Sequence, residues 1–244
     1  MQRYFTNKKE DNILILNEED TYHITKVMRM KENDKVEIIY DKKTYIGEII
    51  EIDKEIKCKI VEEKKEIIKE KPHIIIAQAL VKEQKMDYIL QKSCELGVDE
   101  IIPVNTIRSI IKLGKNVNKK IERWSKILKE ASEQSKRIDV PRISEVKDLK
   151  DLINVKASVK LICTVNEKSK TIKSVLSKID NSDTIIFVIG PEGGFENKEE
   201  EFLINNGFVP ISFGNNVLRT ETASLFILSV VNYEFLRWYI WKIY

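Results

Sequence analysis

The first seventy residues carry short β-branched runs that are typical of strands. A helix is predicted from Glu18 to Met30 with Asn17 as its N-cap, and Asp41-Lys42-Lys43 predicts a tight hairpin. Several short strands with a single helix indicate a small β-barrel over residues 1–70, a shape often used to hold RNA. The predicted strands of this region cover residues 13–16, 36–40, 44–52 and 56–61.

After Pro72 the pattern changes to continuous apolar runs that alternate with helical periods. This alternation predicts an α/β domain over residues 71–244, built on a parallel, doubly wound sheet. Gly97 is expected to end the first of its helices. The predicted strands cover 74–80, 101–104, 159–163, 184–189 and 210–213. The predicted helices cover 87–96, 119–135, 171–179, 198–205 and 222–239.

Charge changes this picture in one region only. The 244 residues are 33% charged and 42% hydrophobic with a formal net charge of +3, but 10 basic and 3 acidic residues lie between Arg108 and Arg137. A polyanion would be attracted to such a surface, although a solvated helix face is the commoner explanation for a lysine-rich run.

The three cysteines are far apart and odd in number, without a metal-ligand spacing or a disulfide framework. This usage fits a reducing compartment. The N-terminus lacks the apolar core of a signal peptide, and no run reaches the length of a membrane span. We therefore expect a cytoplasmic protein with no membrane partner and no metal.

The most informative stretch is Ile189-Gly190-Pro191-Glu192-Gly193-Gly194-Phe195. It joins a buried strand to an acidic helix start, and five of the eight glycines fall between Gly190 and Gly214. The order of its glycines is not that of a dinucleotide fingerprint, and no Lys-Ser or Lys-Thr pair closes it as in a phosphate loop. A tight strand-to-helix turn would explain it alone.

A second stretch, 213–223, weakens that simple explanation. It packs turn-forming residues, Arg219, Glu221 and two threonines into eleven positions, and a helix cap accounts for only one threonine. The two stretches together favour a site at the carboxyl edge of the sheet, in which main-chain groups surround an uncharged, adenine-like ligand.

With these motifs the sequence resembles the RsmE family, SPOUT-class methyltransferases acting on uridine N3 of 16S ribosomal RNA. The glycine stretch and Leu218-Arg219-Thr220-Glu221-Thr222-Ala223 carry the resemblance. Met28 and Lys136 depart from the family pattern, which usually has a leucine and often a small residue there. Further matches in the expected order are Arg3–Phe5, His23–Arg29, Lys85–Val98, Arg108-Ser109 and Glu130–Arg137.

The resemblance implies a PUA-like β-barrel at the N-terminus and a C-terminal parallel sheet with a deep trefoil knot. It also implies S-adenosyl-L-methionine as cofactor, the small ribosomal subunit as partner, and a homodimer in which the final helix contributes contacts. The implied cofactor-binding residues are Thr164, Ile189, Gly190, Pro191, Glu192, Gly193, Gly194, Phe213, Gly214, Asn215, Val217, Leu218, Arg219, Thr222 and Ala223.

Methylation at uridine N3 requires loss of a proton, so a cation or a general base near the acceptor would assist. Arg219 is our candidate for orientation or charge stabilisation. Glu221 is a candidate base, although pairing with Arg219 or a backbone amide would also explain it, and Glu192 is expected to brace its loop. The predicted RNA-binding residues are Arg3, Arg29, Lys85, Arg108, Lys112 and Arg137.

Two other functions stay open on the sequence. One is a SPOUT methyltransferase that acts on transfer RNA or on a ribose 2′-hydroxyl. The other is an RNA-binding module without catalysis.

Overall fold

The computed structural model describes residues 1–65, 70–111 and 117–236. The chain forms two compact units, one of Met1–Lys69 with Lys129–Val140 and the other of Glu70–Leu128 with Pro141–Tyr244. The predicted division into 1–70 and 71–244 did not include the contribution of residues 129–140 to the first unit. Lys112 and the end of the last predicted helix lie outside the described residues.

The first unit is built on a six-stranded sheet in the order β1-β4-β5-β6-β3-β2. The four predicted strands are confirmed, and β1 and β2 are two short strands that the sequence pattern did not indicate. The elements are β1 Arg3–Phe5, β2 Lys8–Glu10, β3 Ile13–Leu16, α1 Glu18–Tyr22, a π-helical turn His23–Val27, β4 Lys35–Tyr40, β5 Lys43–Ile52 and β6 Ile56–Lys64.

This sheet has to curl, because its two edge strands are neighbours in the sequence. In a flat sheet six strands would place the edges roughly 24 Å apart, whereas the three steps from Phe5 to Lys8 span at most about 11 Å. Thr6 joins the two sides: its N–H donates to Ile39 O at 3.0 Å, and its hydroxyl donates to Ile15 O. The predicted barrel is thus observed as a curled sheet.

Local details of the first unit follow the sequence closely. The hairpin between β4 and β5 turns at Asp41 and Lys42, whose φ angles of 49° and 58° are those of a type I′ turn. Asn17 caps α1 by accepting the N–H of Asp20 at 2.9 Å. The predicted helix to Met30 is shorter, since α1 passes into the π-helical turn and Arg29 leaves it with φ 56°.

The interior of the first unit contains two polar clusters beside its apolar core. Glu37 accepts hydrogen bonds from Arg3 at 3.2 Å, Lys64 at 2.7 Å and Lys136 at 3.2 Å. Asp20 and Glu133 both pair with Lys129. Tyr4 is buried, and its hydroxyl lies 2.9 Å from His23 Nδ1.

The second unit is a parallel sheet flanked by helices, and the five predicted strands are confirmed. The strand order is β10-β8-β7-β12-β11-β13, with β9 also paired to β8. The elements are β7 His73–Ala79, α2 Glu83–Glu95, β8 Glu100–Asn105, α3 Val117–Gln134, β9 Arg142–Ile143, β10 Lys147–Asp148, a 3-10 helix Leu149–Asn154, β11 Val159–Cys163, α4 Ile172–Leu176, β12 Thr184–Ile189, α5 Asn197–Asn205, β13 Val209–Ile211 and α6 Thr220–Leu236.

The register of this sheet brings the carboxyl ends of four strands together. Ile189 of β12 is opposite Gln78 of β7 on one side and Cys163 of β11 on the other, and Cys163 is also opposite Ile211 of β13. Loops that leave parallel strands meet at the carboxyl edge. Within the described ranges, no helix is long and apolar enough to cross a membrane.

Candidate functional site

A cavity of about 820 Å³ opens at this carboxyl edge, within the size range of small-molecule sites. Its walls are three loops, which follow β11, β12 and β13, and the first turn of α6. The lining residues are Lys85, Arg108, Cys163, Thr164, Val165, Asn166, Glu167, Lys168, Ile189, Gly190, Pro191, Glu192, Gly193, Gly194, Phe195, Asn197, Glu200, Ser212, Phe213, Gly214, Asn215, Asn216, Val217, Leu218, Arg219, Thr220 and Ala223.

The glycine loop after β12 is a closed turn. The N–H of Gly194 donates to Pro191 O at 2.9 Å, and Gly194 has a φ of 68°, in the left-handed region that favours glycine. Arg108 bonds the loop at two points: Nη1 donates to Gly193 O at 2.8 Å and Nε donates to Glu196 Oε1 at 2.8 Å. In this structure the predicted RNA contact Arg108 is therefore a brace of the glycine loop.

Glu199 fastens the same region to the loop after β8. Its carboxylate is buried and accepts the N–H of Ile107 at 2.9 Å and the N–H of Glu196 at 2.9 Å. An acidic side chain in the first turn of α5 also suits the positive end of the helix dipole. Glu196 and Glu199 therefore position the glycine loop, whereas Glu200 lines the cavity.

Lys85 forms a charge cluster with two carboxylates at the cavity. Its Nζ lies 3.0 Å from Glu192 Oε1 and 3.5 Å from Glu221 Oε2, an atom that is buried and has no hydrogen-bond partner within the described chain. The bond to Glu192 raises the pKa of Lys85. Burial works to raise the pKa of Glu192, but its backbone N–H and Lys85 outweigh burial and lower it.

The loop after β11 forms the wall that sequence reasoning largely missed, since only Thr164 was predicted there. Glu200 accepts the Thr164 hydroxyl at 2.6 Å and the Asn166 amide at 2.9 Å. Glu167 accepts the Ser169 hydroxyl and the N–H groups of Ser169 and Lys170, which lower its pKa to about 2. The sequence held a signal for this wall, because the loop follows β11, a predicted strand that pairs with β12.

The structure brings together the residues predicted to bind a cofactor. All of them line the cavity except Thr222, which is exposed on α6. Gly214 has a φ of 108°, which requires glycine. Of the two candidate catalytic residues, Arg219 is exposed at the cavity and makes no ion pair within the described chain, while Glu221 pairs with Lys85 rather than with Arg219.

The residues predicted to bind RNA have different surroundings. Arg29 is exposed, whereas Arg3 is 4% exposed and donates to Lys136 O at 2.6 Å and Arg137 O at 3.0 Å. Arg137 forms an ion pair with Asp139, in which Nη2 lies 2.8 Å from Oδ1. Burial disfavours the RNA-binding role of Arg3. No metal-binding group of three or more histidine, cysteine or acidic side chains occurs among residues 1–65, 70–111 and 117–236.

Comparison with known proteins shows the family to which this chain belongs. A family model described as an RNA methyltransferase domain matches residues 69–232, and one described as an RNA methyltransferase PUA domain matches residues 16–63. The ribosomal RNA small subunit methyltransferase E of Bacillus subtilis is 34% identical, covering 96% of this chain and 97% of its own. The chain belongs to the ribosomal RNA small subunit methyltransferase E family.

Other members of the methyltransferase E family are similar over the same length. The protein of that name from Mesomycoplasma hyopneumoniae is 32% identical, covering 94% of this chain and 98% of its own. A crystal structure of methyltransferase E from Neisseria gonorrhoeae bound to S-adenosylmethionine is 28% identical, with a TM-score of 0.84 and coverage of 96% and 97%. The predicted family resemblance is confirmed, and the first unit contains a PUA domain.

Proposed function

We propose that this protein is an S-adenosylmethionine-dependent methyltransferase that methylates uridine N3 in 16S ribosomal RNA of the small subunit. The observation that carries the proposal is the near-full-length similarity to proteins named ribosomal RNA small subunit methyltransferase E. The ribosomal substrate implies a cytoplasmic protein, and the uridine N3 target follows from the family resemblance.

The cavity has the properties that the cofactor requires. Its volume suits a nucleoside with an amino-acid tail, and the glycine loop and residues 213–219 offer main-chain groups on two sides. S-adenosylmethionine supplies a methyl group activated on a sulfonium. The chain would hold it through the lining residues named above, and Thr222 is the one predicted residue without support from the geometry.

Arg219 is proposed to orient the acceptor base and to stabilise the negative charge that develops on it. Its guanidinium is exposed at the cavity and is not neutralised by an ion pair within the described chain. A preorganised cation at such a position typically contributes about 10²-fold or more to turnover. If Arg219→Ala retains full turnover while donor binding is normal, this role is wrong.

Glu221 is proposed first as a partner of Lys85 and second as a general base. The 3.5 Å ion pair between Lys85 Nζ and Glu221 Oε2 supports the pairing role. Because Oε2 is also the buried oxygen without a hydrogen bond in the described chain, a role as base would require Lys85 to move away from it. Glu221→Gln removes the base but keeps the shape. A base would lower turnover roughly 10²- to 10⁴-fold, whereas a pairing role would mainly weaken substrate binding.

RNA binding is proposed for Arg29 and Lys85 in the described chain, with Lys112 outside it. Arg29 is exposed in the PUA domain with no ion pair within the described chain. Contacts of this kind to phosphate set affinity without reading sequence. The roles proposed from the sequence for Arg108, Arg137 and Arg3 compete with the bonds that these side chains already make.

A homodimer is proposed from exposed apolar side chains. Val217 and Val165 line the cavity and are 78% and 63% exposed. Ile110 is 67% exposed, and Tyr233, near the end of α6, is 63% exposed. Two exposed apolar side chains beside one cavity indicate an interaction site. On α6, Leu228 and Val231 are buried within the protomer, so Tyr233 is a better interface residue than either. Val217→Asp should shift the sedimentation coefficient to that of a monomer.

We further propose that the glycine loop and residues 213–223 belong to a deep trefoil knot. The curled sheet of the first unit is proposed to be a PUA-like barrel, and the two domains are proposed to divide near residue 70. The knot is proposed from the family resemblance. Stretching the unfolded chain from its ends would leave a knotted chain measurably shorter than its full contour length.

The function is tested by mass spectrometry of 16S ribosomal RNA from a strain that lacks the gene. We expect loss of one 3-methyluridine and its return when the gene is restored. Retained 3-methyluridine, with loss of a modification in transfer RNA or at a ribose hydroxyl, would identify a different target. Normal modification of all RNAs, with no binding of S-adenosylmethionine in calorimetry, would identify a binding module.

A further inference from the structure

One buried polar side chain interrupts the apolar strand β7. Gln78 is 0% exposed, near the carboxyl end of the strand, and pairs in register with Ile189, the residue before the glycine loop. A buried amide is destabilising unless all of its polar atoms have partners. The hydrogen-bond partners of the Gln78 amide therefore indicate why a glutamine stands at this position.

Gln78 is fully bonded to α6 and to its own strand. Its Nε2 donates to Thr220 Oγ1 at 2.9 Å and to Ala79 O at 3.1 Å, and its Oε1 accepts the Ser224 hydroxyl at 2.8 Å. Thr220 Oγ1 in turn donates to Gly190 O at 2.7 Å. Thr220 and Ser224 are 6% and 0% exposed, so little water competes with their bonds to Gln78.

The direction of this chain of bonds is fixed by chemistry. The Gly190 carbonyl can only accept, so the single hydroxyl proton of Thr220 is used there. Thr220 must then accept from Gln78, which requires the NH₂ group of the amide to face Thr220 and its oxygen to face Ser224. The Ser224 hydroxyl lies 2.8 Å from Gln78 Oε1 and 3.3 Å from Thr220 O, so its proton is assigned to the shorter bond. The resulting order, Ser224 to Gln78 to Thr220 to Gly190, is here called the amide relay.

We propose that Gln78 is a positioning residue that shapes the donor cavity through the amide relay. Gly190 begins the glycine loop, and Thr220 begins α6 between the two candidate catalytic residues, Arg219 and Glu221; both Gly190 and Thr220 line the cavity. The relay fixes the separation of these two walls and the orientation of the Gly190 carbonyl, which accepts the Thr220 hydroxyl. This inference rests on the proposed function for the identity of the donor.

The test compares pairs of variants that change the hydrogen bonds but little else. Thr220→Val keeps the shape and removes the hydroxyl, whereas Thr220→Ser keeps the hydroxyl. Gln78→Met keeps the length of the side chain and removes both N–H donors and the acceptor oxygen. Ser93→Ala is the matched control, because Ser93 is buried in the same unit and its hydroxyl has no hydrogen-bond partner within the described chain.

Calorimetry with S-adenosylmethionine on the full chain should give a Kd raised roughly 10-fold by Thr220→Val and by Gln78→Met. Thr220→Ser and Ser93→Ala should bind as the wild type does. The double variant Gln78→Met with Thr220→Val should bind no worse than either single variant, because both break one relay. The proposal would be overturned if Thr220→Val and Thr220→Ser bound S-adenosylmethionine with equal affinity. It would also be overturned if the increase in Kd of the double variant were the product of the increases in the two single variants.

A second readout does not depend on the donor. The carbonyl ¹³C chemical shift of Gly190 should move in Thr220→Val and Gln78→Met and stay unchanged in Thr220→Ser and Ser93→Ala. If wild-type protein does not bind S-adenosylmethionine, the proposed function fails, and this shift alone decides whether the relay controls Gly190. If Gln78→Met does not fold, the two Thr220 variants decide, and an unmoved shift in Thr220→Val overturns the relay.

Discussion

The conformation of Gly194 gives a quantitative prediction for the glycine loop. At φ 68° an L-residue is strained, and a Cβ built there meets no atom within 4 Å, so Gly194→Ala would introduce backbone strain without a clash. Left-handed geometry costs about 1–2 kcal/mol for a residue with a Cβ. Gly193 provides the control, because a Cβ there lies 3.4 Å from Arg108 Cδ, an ordinary contact, without a left-handed φ.

The backbone strain in Gly194→Ala should appear either in the free energy of unfolding or in the Kd for S-adenosylmethionine. If the loop keeps its turn, Gly194→Ala lowers the free energy of unfolding by about 1–2 kcal/mol and leaves the Kd for S-adenosylmethionine unchanged. If the loop relaxes instead, stability is retained and the Kd rises roughly 5- to 30-fold. Gly194→Asn should show a smaller effect, because asparagine tolerates this conformation better.

Chemical denaturation and calorimetry on the same samples provide both quantities. Backbone strain at Gly194 is refuted if Gly194→Ala agrees with the wild type in both stability and donor affinity. A larger loss for Gly193→Ala than for Gly194→Ala would contradict it as well, since steric contact would then outweigh backbone conformation.

Three further predictions concern other residues. Burial and the charge of Asp20 raise the pKa of Glu133 to about 7, against the attraction of Lys129. Its contribution to stability is therefore full below about pH 4.5 and is lost as the pH rises through 7. Between pH 5 and pH 8 the free energy of unfolding of the wild type should therefore fall by up to about 3 kcal/mol more than that of Glu133→Gln, as measured by chemical denaturation. Parallel pH profiles of the two proteins would contradict this prediction. Although burial alone would raise the pKa of Glu37, bonds from Lys64 and Lys136 lower it to about 2, so its contribution is present above pH 4.5 and is lost on acidification; Glu37→Gln should flatten the acid limb of the stability profile. Arg108→Met should raise the Kd for S-adenosylmethionine several-fold if the brace matters, whereas a change only in the salt dependence of RNA binding would favour the predicted RNA contact.

The sequence pattern predicted most of the second unit because its strands are continuous apolar runs. Buried parallel strands leave a strong signal, and the register at Ile189 then brings Gln78 and Cys163 to the same edge. The strands β1 and β2 were missed because they are three residues long and lie at edges, where side chains need not alternate. The PUA domain and the family could be predicted only because several family motifs occur along the chain in the expected order.

The details of the cavity could not be predicted in the same way. Arg108 and Glu196 are far apart in sequence, and nothing local shows that they bond to each other. The pairing of Lys85 with Glu192 and Glu221 likewise depends on three separate elements of the fold. Gln78 did leave a signal, a single polar residue within Ile74–Leu80, but its meaning depends on Thr220, which the chain reaches only 142 residues later.

The central claim is methyl transfer to uridine N3, and one assay tests it most directly. Purified protein is incubated with small ribosomal subunits from the strain lacking the gene and with S-adenosylmethionine labelled in its methyl group, and the RNA is digested to nucleosides. We predict that the label is recovered in 3-methyluridine from 16S RNA. Label in another nucleoside, or none in RNA despite normal donor binding, would contradict the account.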